Sequence, residues 1–355
     1  MSIWLRRRVP SVRKLHRACL VAAVIQVAAA FAGSSAHAQT PGPGGEPRQP
    51  EGGDHQSDPP KPTDQPDDEQ PPQPGTAHTP AKLHDIATAD VVRANLEASY
   101  IAYPYSLHGL PPVIFECSLA PHFFVHMEKW PFAFVLTPKV VLRMFNEESS
   151  PVRSPSFMPR ISVFLWFQQR VRGSPTFYGS VTLSHHSNGQ TGPFFADDGS
   201  INHEDGSFST NYLDFAVYGT GFTGRFLGWS SVSLQWHPGF NQDPELKGRY
   251  GLVRLNFATT VVADLPLHGQ VSLRISAILD DFMQVSKTAA LRALERFPLS
   301  LSYSMTVPGI DLGVYLGYYI GHDYYNIWFD RVIHTIQIGI SGGFAPTLLQ
   351  SEASD

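Results

Sequence analysis

Apolar and polar residues alternate with a period of two along most of the chain beyond residue 95. In "RISVFLWFQ", Ile161, Val163, Leu165 and Phe167 share one face. "GLVRLNFAT" sets Val253, Leu255 and Phe257 against Arg254 and Asn256. "QVSLRISAIL" alternates Val271, Leu273, Ile275 and Ala277 with Ser272, Arg274 and Ser276. "FPLSLSYSMTV" and "VIHTIQIGIS" repeat the pattern, with hydroxyl residues, Gln337 and Gly339 on the polar side. Successive side chains of a strand point to opposite faces, so each segment reads as a strand with one apolar and one polar face. About eleven can be drawn, with a further one around 99–106.

Many of these strands run to about nine to twelve residues, the length of a tilted membrane-crossing strand and more than the usual ~5–6 of soluble sheets. Their polar faces carry Ser, Thr, Gln, Arg and Gly, which suits a wet or hydrogen-bonded interior. A soluble sandwich would also alternate, but with shorter strands and fewer aromatic residues. Connections near 147–158, 188–208, 237–248 and 281–296 are long, and those near 171–175, 221–226, 263–268 and 307–309 are short. Such alternation is expected when external loops and periplasmic turns lie at opposite ends. The pattern predicts an all-β fold, a transmembrane antiparallel β-barrel of about twelve strands. The 281–296 stretch has the character of a short helix on its surface.

Composition changes the picture at the two ends. Arg6, Arg7, Arg8, Arg13, Lys14 and Arg17 precede the apolar run 18–32, and Ala36-His37-Ala38 offers a cleavage site. Residues 1–38 are therefore expected to be a secretory signal peptide. No later window is apolar enough for a membrane-spanning helix. Residues 39–94 read as a spacer whose most biased part, to about Lys82, holds twelve of the thirty prolines. So little apolar surface cannot offset the entropy of ordering, and disorder is expected there. The barrel is expected over 95–346, with a tail at 347–355. Removing the signal takes Cys19 with it and leaves Cys117 alone, so no disulfide can form within the mature chain. A net charge of −5 gives no reason to expect a nucleic-acid partner.

Candidate chemistry sits in "VTLSHHSNGQ" (181–190). His185 and Ser187 continue the series Phe177, Gly179, Val181, Leu183, so they belong to the apolar, outward face. Pairing this strand antiparallel with "SFSTNYLDFAVYG", with 185 opposite 211, sets Leu183 beside Leu213 and Val181 beside Phe215. The same register brings His185 against Asn211. A serine hydroxyl needs a base to become a nucleophile, and His185 can serve. The Asn211 carbonyl can hold the other imidazole nitrogen without adding a charge. Gly189 can let a backbone amide approach an oxyanion. The reaction class is acyl transfer, with water as the final acceptor. His186 faces inward with Thr182 and Ser184 and is expected to be a hydrogen-bonding residue of the interior.

These residues resemble a known family. "HHSNG" followed by "SFSTNYLDF" is similar to the His-x-Ser-Asn-Gly … Asn signature of outer-membrane phospholipase A. "NEESSPVRSPSFMPRISVFLWF" (146–167), "NQDPELKGRYGLVRLNF" (241–257) and "YLGYYIGHDYYNIWFDRVIHTIQIGI" (315–340) resemble further parts of it. The resemblance implies a twelve-stranded barrel in the Gram-negative outer membrane that hydrolyses phospholipid esters from its extracellular side. It implies dependence on Ca2+ and control by reversible homodimerisation along the lipid-facing site. Carried over, His185 is the base, Ser187 the nucleophile, Asn211 the orienting residue and Gly189 the oxyanion amide. Ser149 matches a serine that helps bind calcium across the dimer. Gln190 stands where the family has an arginine that offers its backbone carbonyl. The loop between Ser187 and Asn211 is longer than the family's, and Asp197, Asp198, Glu204 and Asp205 are the acidic residues within it.

Three other readings make distinct demands. A lipid A deacylase-like esterase has a related His-x-Ser-Asn site with a glutamate as third member, on a barrel of eight strands. The length here and "EESSPVR" stand against it. A non-catalytic pore explains the polar faces but not a His/Ser/Asn cluster that faces lipid. A zinc site of His185, His186 and His203 conflicts with strand geometry, because neighbouring histidines point to opposite faces.

Overall fold

A computed structural model describes residues 86–171, 175–223, 226–263, 269–306 and 312–342. The expected signal peptide, most of the spacer and the tail at 347–355 lie outside the described residues. Within them, twelve antiparallel strands close into a barrel. In chain order these are β1 (Ser99–His108), β2, β3 (Phe132–Phe145), β4 (Ser156–Trp166), β5 (Thr176–Ser187) and β6 (Ser209–Thr223). They continue with β7 (Phe226–Trp236), β8 (Val253–Ala263), β9 (Gly269–Ile278), β10 (Leu299–Thr306), β11 (Leu312–His322) and β12 (Val332–Gly342). Strand β2 is in two pieces, Val113–Leu119 and Phe123–His126, both paired with β3. Neighbours in sequence are neighbours in the sheet, and β12 pairs with β1 to close the ring. The segment at 99–106 is therefore a full strand.

Each strand turns its apolar face outward. Ile101, Phe134, Ile161, Leu183, Phe215 and Ile338 are all exposed large side chains of this surface. A monomer in water rarely shows so continuous an apolar surface, whereas a bilayer requires one. Among the described residues no helix is long and apolar enough to cross a membrane. Long connections (146–155, 188–208, 237–252 and 279–298) gather at one end of the barrel, where 109–112 and 323–331 also lie. The connection 279–298 does contain a helix, Ala289–Arg296.

Buried charges inside the barrel wall are paired. Arg143 on β3 donates from Nε to Glu116 (2.7 Å) and from Nη1 to Asp323 (2.6 Å). Glu116 also accepts from Tyr100, Tyr324 and Gln337, so each buried charge has several partners. Above this network, at the long-loop end, Phe145, Phe194, Phe208, Tyr250, Trp328 and Phe329 pack into an apolar cap.

The opposite end is closed by residues that composition assigns to the spacer. Ile86–Ala87 pairs with Arg170–Val171, and helix α1 (Thr88–Ala94) follows. Val91 and Val92 of α1 are fully buried against the inward-facing Ala133, Val135, Phe164, Trp166 and Tyr178. Asn95 donates to the Tyr178 hydroxyl, and Glu97 is held by Lys139 and Arg160. The boundary expected at residue 94 is corrected accordingly: the folded part of the chain begins by residue 86. Two valines suffice for a helix this short because the barrel wall supplies the rest of its core.

Candidate functional site

The outer face of β5 carries the candidate residues because the alternation of that strand continues to its last residue. Phe177, Val181 and Leu183 are exposed, and His185 and Ser187 follow on the same side, partly covered. The β5–β6 register is continuous and sets Val181 against Phe215, Leu183 against Leu213, His185 against Asn211 and Ser187 against Ser209. Slipping this pair by one residue would turn every apolar side chain of β5 inward, so the position of His185 follows from the placement of Leu183 and Val181.

His185 Nδ1 lies 2.8 Å from Asn211 Oδ1. Asn211 Nδ2 donates to the carbonyl of Phe240 at 2.8 Å. A carbonyl can only accept, so the amide must face Phe240 with its nitrogen and His185 with its oxygen. The proton of the neutral imidazole is then on Nδ1, which leaves a lone pair on Nε2. Ser187 stands two residues along the same face. Its hydroxyl has no hydrogen bond to any described residue, while Asn211, though on the outer wall, is buried.

Beyond Ser187 the chain turns sharply. Asn188 is buried and serves as the clasp of the 188–208 loop. Its Oδ1 accepts from the amides of Gln190 (3.2 Å) and Phe208 (3.0 Å), and its Nδ2 donates to Gly206 (2.8 Å). Gly189 adopts φ +68°, a conformation L side chains rarely take. A Cβ there would also come within 3.3 Å of the Phe157 ring, which flanks Ser187 from β4. Sequence reading missed Asn188, although a buried Asn before Gly is a recognisable turn signal. It also missed the Phe240 carbonyl, which no side chain announces.

The adjacent histidine has a different setting. His186 is buried in the interior, with Ser156 Oγ 3.2 Å from Nε2 and Tyr250 OH 3.5 Å from Nδ1. Ser156 Oγ also accepts from Asn326 Nδ2. Both ring nitrogens of His186 are thus engaged. His203 lies in the loop, where Nε2 meets Asp330 at 2.8 Å and the ring stacks on Trp328. The three histidines do not converge, and a zinc site built from them is ruled out.

Ser149 lies exposed in the 146–155 connection, at the same rim as the candidate residues. It has φ +65°, and the turn is tied by the Ser150 amide donating to Glu147. Gln190 follows the Gly189 turn with its amide on Asn188. Among the described residues no three His, Cys, Asp or Glu side chains group closely enough to hold a metal. Two of the acidic residues of the long loop are used locally. Asp198 accepts from the Ser200 hydroxyl and amide, which hold its carboxyl below the ordinary value, and Asp205 accepts from Asn202.

No family profile matches the sequence, and no curated protein does. Solved structures do match the fold. Outer membrane phospholipase A from Escherichia coli is 14% identical, aligns with 73% of this chain and 99% of its own, and gives a TM-score of 0.51. An active-site Asn→Ala mutant of the E. coli enzyme matches at 13% identity, with the same coverage and TM-score. The outer membrane phospholipase of Salmonella typhi, a dimer with bound calcium, matches at 14% identity, again over 73% and 99% of the two chains with a TM-score of 0.51. The fold of this chain is that of the outer membrane phospholipase A barrels.

Proposed function

We propose that this chain is an outer-membrane phospholipase that hydrolyses acyl esters of membrane phospholipids on the lipid-facing wall of its barrel. The observation that carries the reading is the relay Phe240 carbonyl–Asn211–His185 on the outward face, with Ser187 two residues along. A hydrogen-bonded imidazole is an uncommon occupant of an apolar outer wall, and its free Nε2 suits a general base. Similar barrels named as phospholipases, one with an asparagine in its active site, add support.

In this reading Ser187 Oγ attacks the ester carbonyl carbon while its proton passes to His185 Nε2. The tetrahedral oxyanion meets the Gly189 amide, whose positive φ opens the turn. The carbon–oxygen bond to the lysolipid then breaks, and the leaving oxygen takes the proton from His185. Water repeats the sequence on the acyl-serine and releases the fatty acid. Asn211 keeps the proton of His185 on Nδ1 throughout and stabilises the imidazolium by accepting from it. The long loops, and with them the site, face the cell exterior, as in other barrels with short periplasmic turns.

Calcium calls for about six to eight oxygen ligands, and oxygen is what this rim offers. The Ser149 hydroxyl and the Gln190 carbonyl are neutral oxygens, right in kind but too few within one copy. They would hold the ion where two copies meet along this face, with water completing the shell. A cation held there would supply positive charge that favours a developing oxyanion.

The Asn211 link to His185 favours this reading over a deacylase with a glutamate third member, because Nδ1 is already occupied. Glu204 sits in the long loop, where its amide donates to Asn202. A pore would make no use of the outward-facing His185–Asn211 pair. The test is hydrolysis of a chromogenic thioester phospholipid analogue by purified protein in detergent, with calcium. Hydrolysis lost in Ser187→Ala and in excess chelator is expected. Undetectable hydrolysis in the parent protein, or equal rates with Ser187→Ala, would remove the enzyme reading.

A further inference from the structure

Strand β7 ends at Trp236, opposite Leu213, and leaves 209–212 of β6 without a strand neighbour on that side. The connection 237–252 takes its place. Asp243 N donates to the Ser209 carbonyl at 2.9 Å, and Ser209 N donates to the Asp243 carboxylate at 2.7 Å. Ser209 Oγ adds a bond to the Asn241 carbonyl at 3.2 Å. Between this strap and the strand end the loop turns back through Gly239 (φ +83°) and Asn241 (φ +47°), which presents Phe240's carbonyl to Asn211. Ser209 is the register partner of Ser187, so the strap grips β6 at the level of the proposed nucleophile.

We propose that Asp243 is a positioning residue of the site, setting the amide of Asn211 and through it the tautomer of His185. The inference rests on the hydrolase reading for its consequence in catalysis, but not for its structural content. An asparagine amide can present either its oxygen or its nitrogen to a neighbour. Only the Phe240 carbonyl on the far side decides between them, and the Asp243 carboxylate is the side-chain tie of the strap that carries it. Without the strap, the amide turns freely. With nitrogen toward His185, Nδ1 loses its proton, Nε2 gains one, and the base facing Ser187 is gone. The imidazolium also loses its acceptor.

Four variants in the full-length chain test this: Asp243→Ala, Asp243→Asn, Asn211→Ala and the double Asp243→Ala/Asn211→Ala. Asparagine keeps an oxygen that accepts from Ser209 N, so Asp243→Asn retains activity within about threefold, whereas Asp243→Ala lowers kcat roughly tenfold or more with KM little changed. The acid limb of the pH–rate profile moves to lower pH in Asp243→Ala, since an imidazolium without its acceptor is less stable. In the double variant Asp243→Ala adds almost nothing to the loss from Asn211→Ala, because both act through one amide. Equal losses in the two backgrounds, or an unmoved acid limb, overturn the proposal.

A second readout does not depend on hydrolysis. Nitrogen-15 spectra of histidine-labelled protein, with His185 assigned by His185→Gln, report which ring nitrogen carries the proton. The parent shows it on Nδ1 and Asp243→Ala shows a shift of population to Nε2. An unchanged tautomer refutes the proposal. A changed tautomer in a protein that hydrolyses nothing upholds it and removes the hydrolase reading instead.

Discussion

Two adjacent histidines on β5 illustrate what a barrel wall does to identical side chains. His185 faces out, partly covered, with one nitrogen on Asn211 and the other free of any described partner. His186 faces in, buried, with Ser156 on one nitrogen and Tyr250 on the other. One residue of phase along the strand separates a side chain available for proton transfer from one consumed by structure. A histidine suits the role of base when one nitrogen is fixed and the other left open, and of the two faces of β5 the outer one provides that.

Experiments that exchange the two settings test this contrast. Ser187→Ala removes the proposed outward nucleophile and should lower hydrolysis by about 10³-fold or more, with the barrel's heat-dependent mobility on gels unchanged. Residual turnover within tenfold of the parent would place the nucleophile elsewhere. On the inward side the largest effect is on stability. Arg143→Leu strands Glu116 and Asp323 in the interior and should cost about 3–5 kcal/mol, read from unfolding in urea from detergent or lipid. A loss under about 1 kcal/mol would mean that water reaches these carboxylates. Asn211→Ala leaves the proposed base, His185, without its hydrogen-bond partner, and a drop of roughly ten- to a hundredfold in kcat is expected. Full activity would show that His185 needs no third residue. Smallest is His186→Gln, which should leave hydrolysis within about twofold while costing about 1–2 kcal/mol of stability through its lost hydrogen bonds. If it instead abolished hydrolysis with stability intact, the inward and outward roles would have to be exchanged.

Much of this contrast was legible in the chain itself. Period-two alternation assigns each residue of "VTLSHHSNGQ" to a face, and the demand that Leu183 and Leu213 share the apolar side gives the register that joins His185 to Asn211. Strand number and the division into long and short connections follow from the same pattern. Helix α1 was not legible, because "IATADVVRANLE" follows a Pro-rich stretch and has too few apolar residues to argue for burial alone. Its partners, Trp166, Tyr178 and Val135, come from three strands distant in sequence. Nor could the Phe240 carbonyl be foreseen. Every residue carries a carbonyl, and only the early end of β7 and the strap at Asp243 bring this one to Asn211. What pattern conveys is the facing of side chains; what it omits is which backbone atom a loop delivers.

On the proposed reading, the outward facing of Ser187 and His185 has a kinetic consequence. A site inside a pocket meets substrate by diffusion through water, at a rate set by bulk concentration. A site on the outer wall meets it by lateral diffusion within the lipid sheet, where the governing variable is the mole fraction of substrate among the molecules that coat the barrel. Adding inert detergent at fixed total phospholipid should therefore slow hydrolysis in proportion to surface dilution. Adding more mixed micelles of the same composition, once the protein is fully inserted, should leave the rate unchanged.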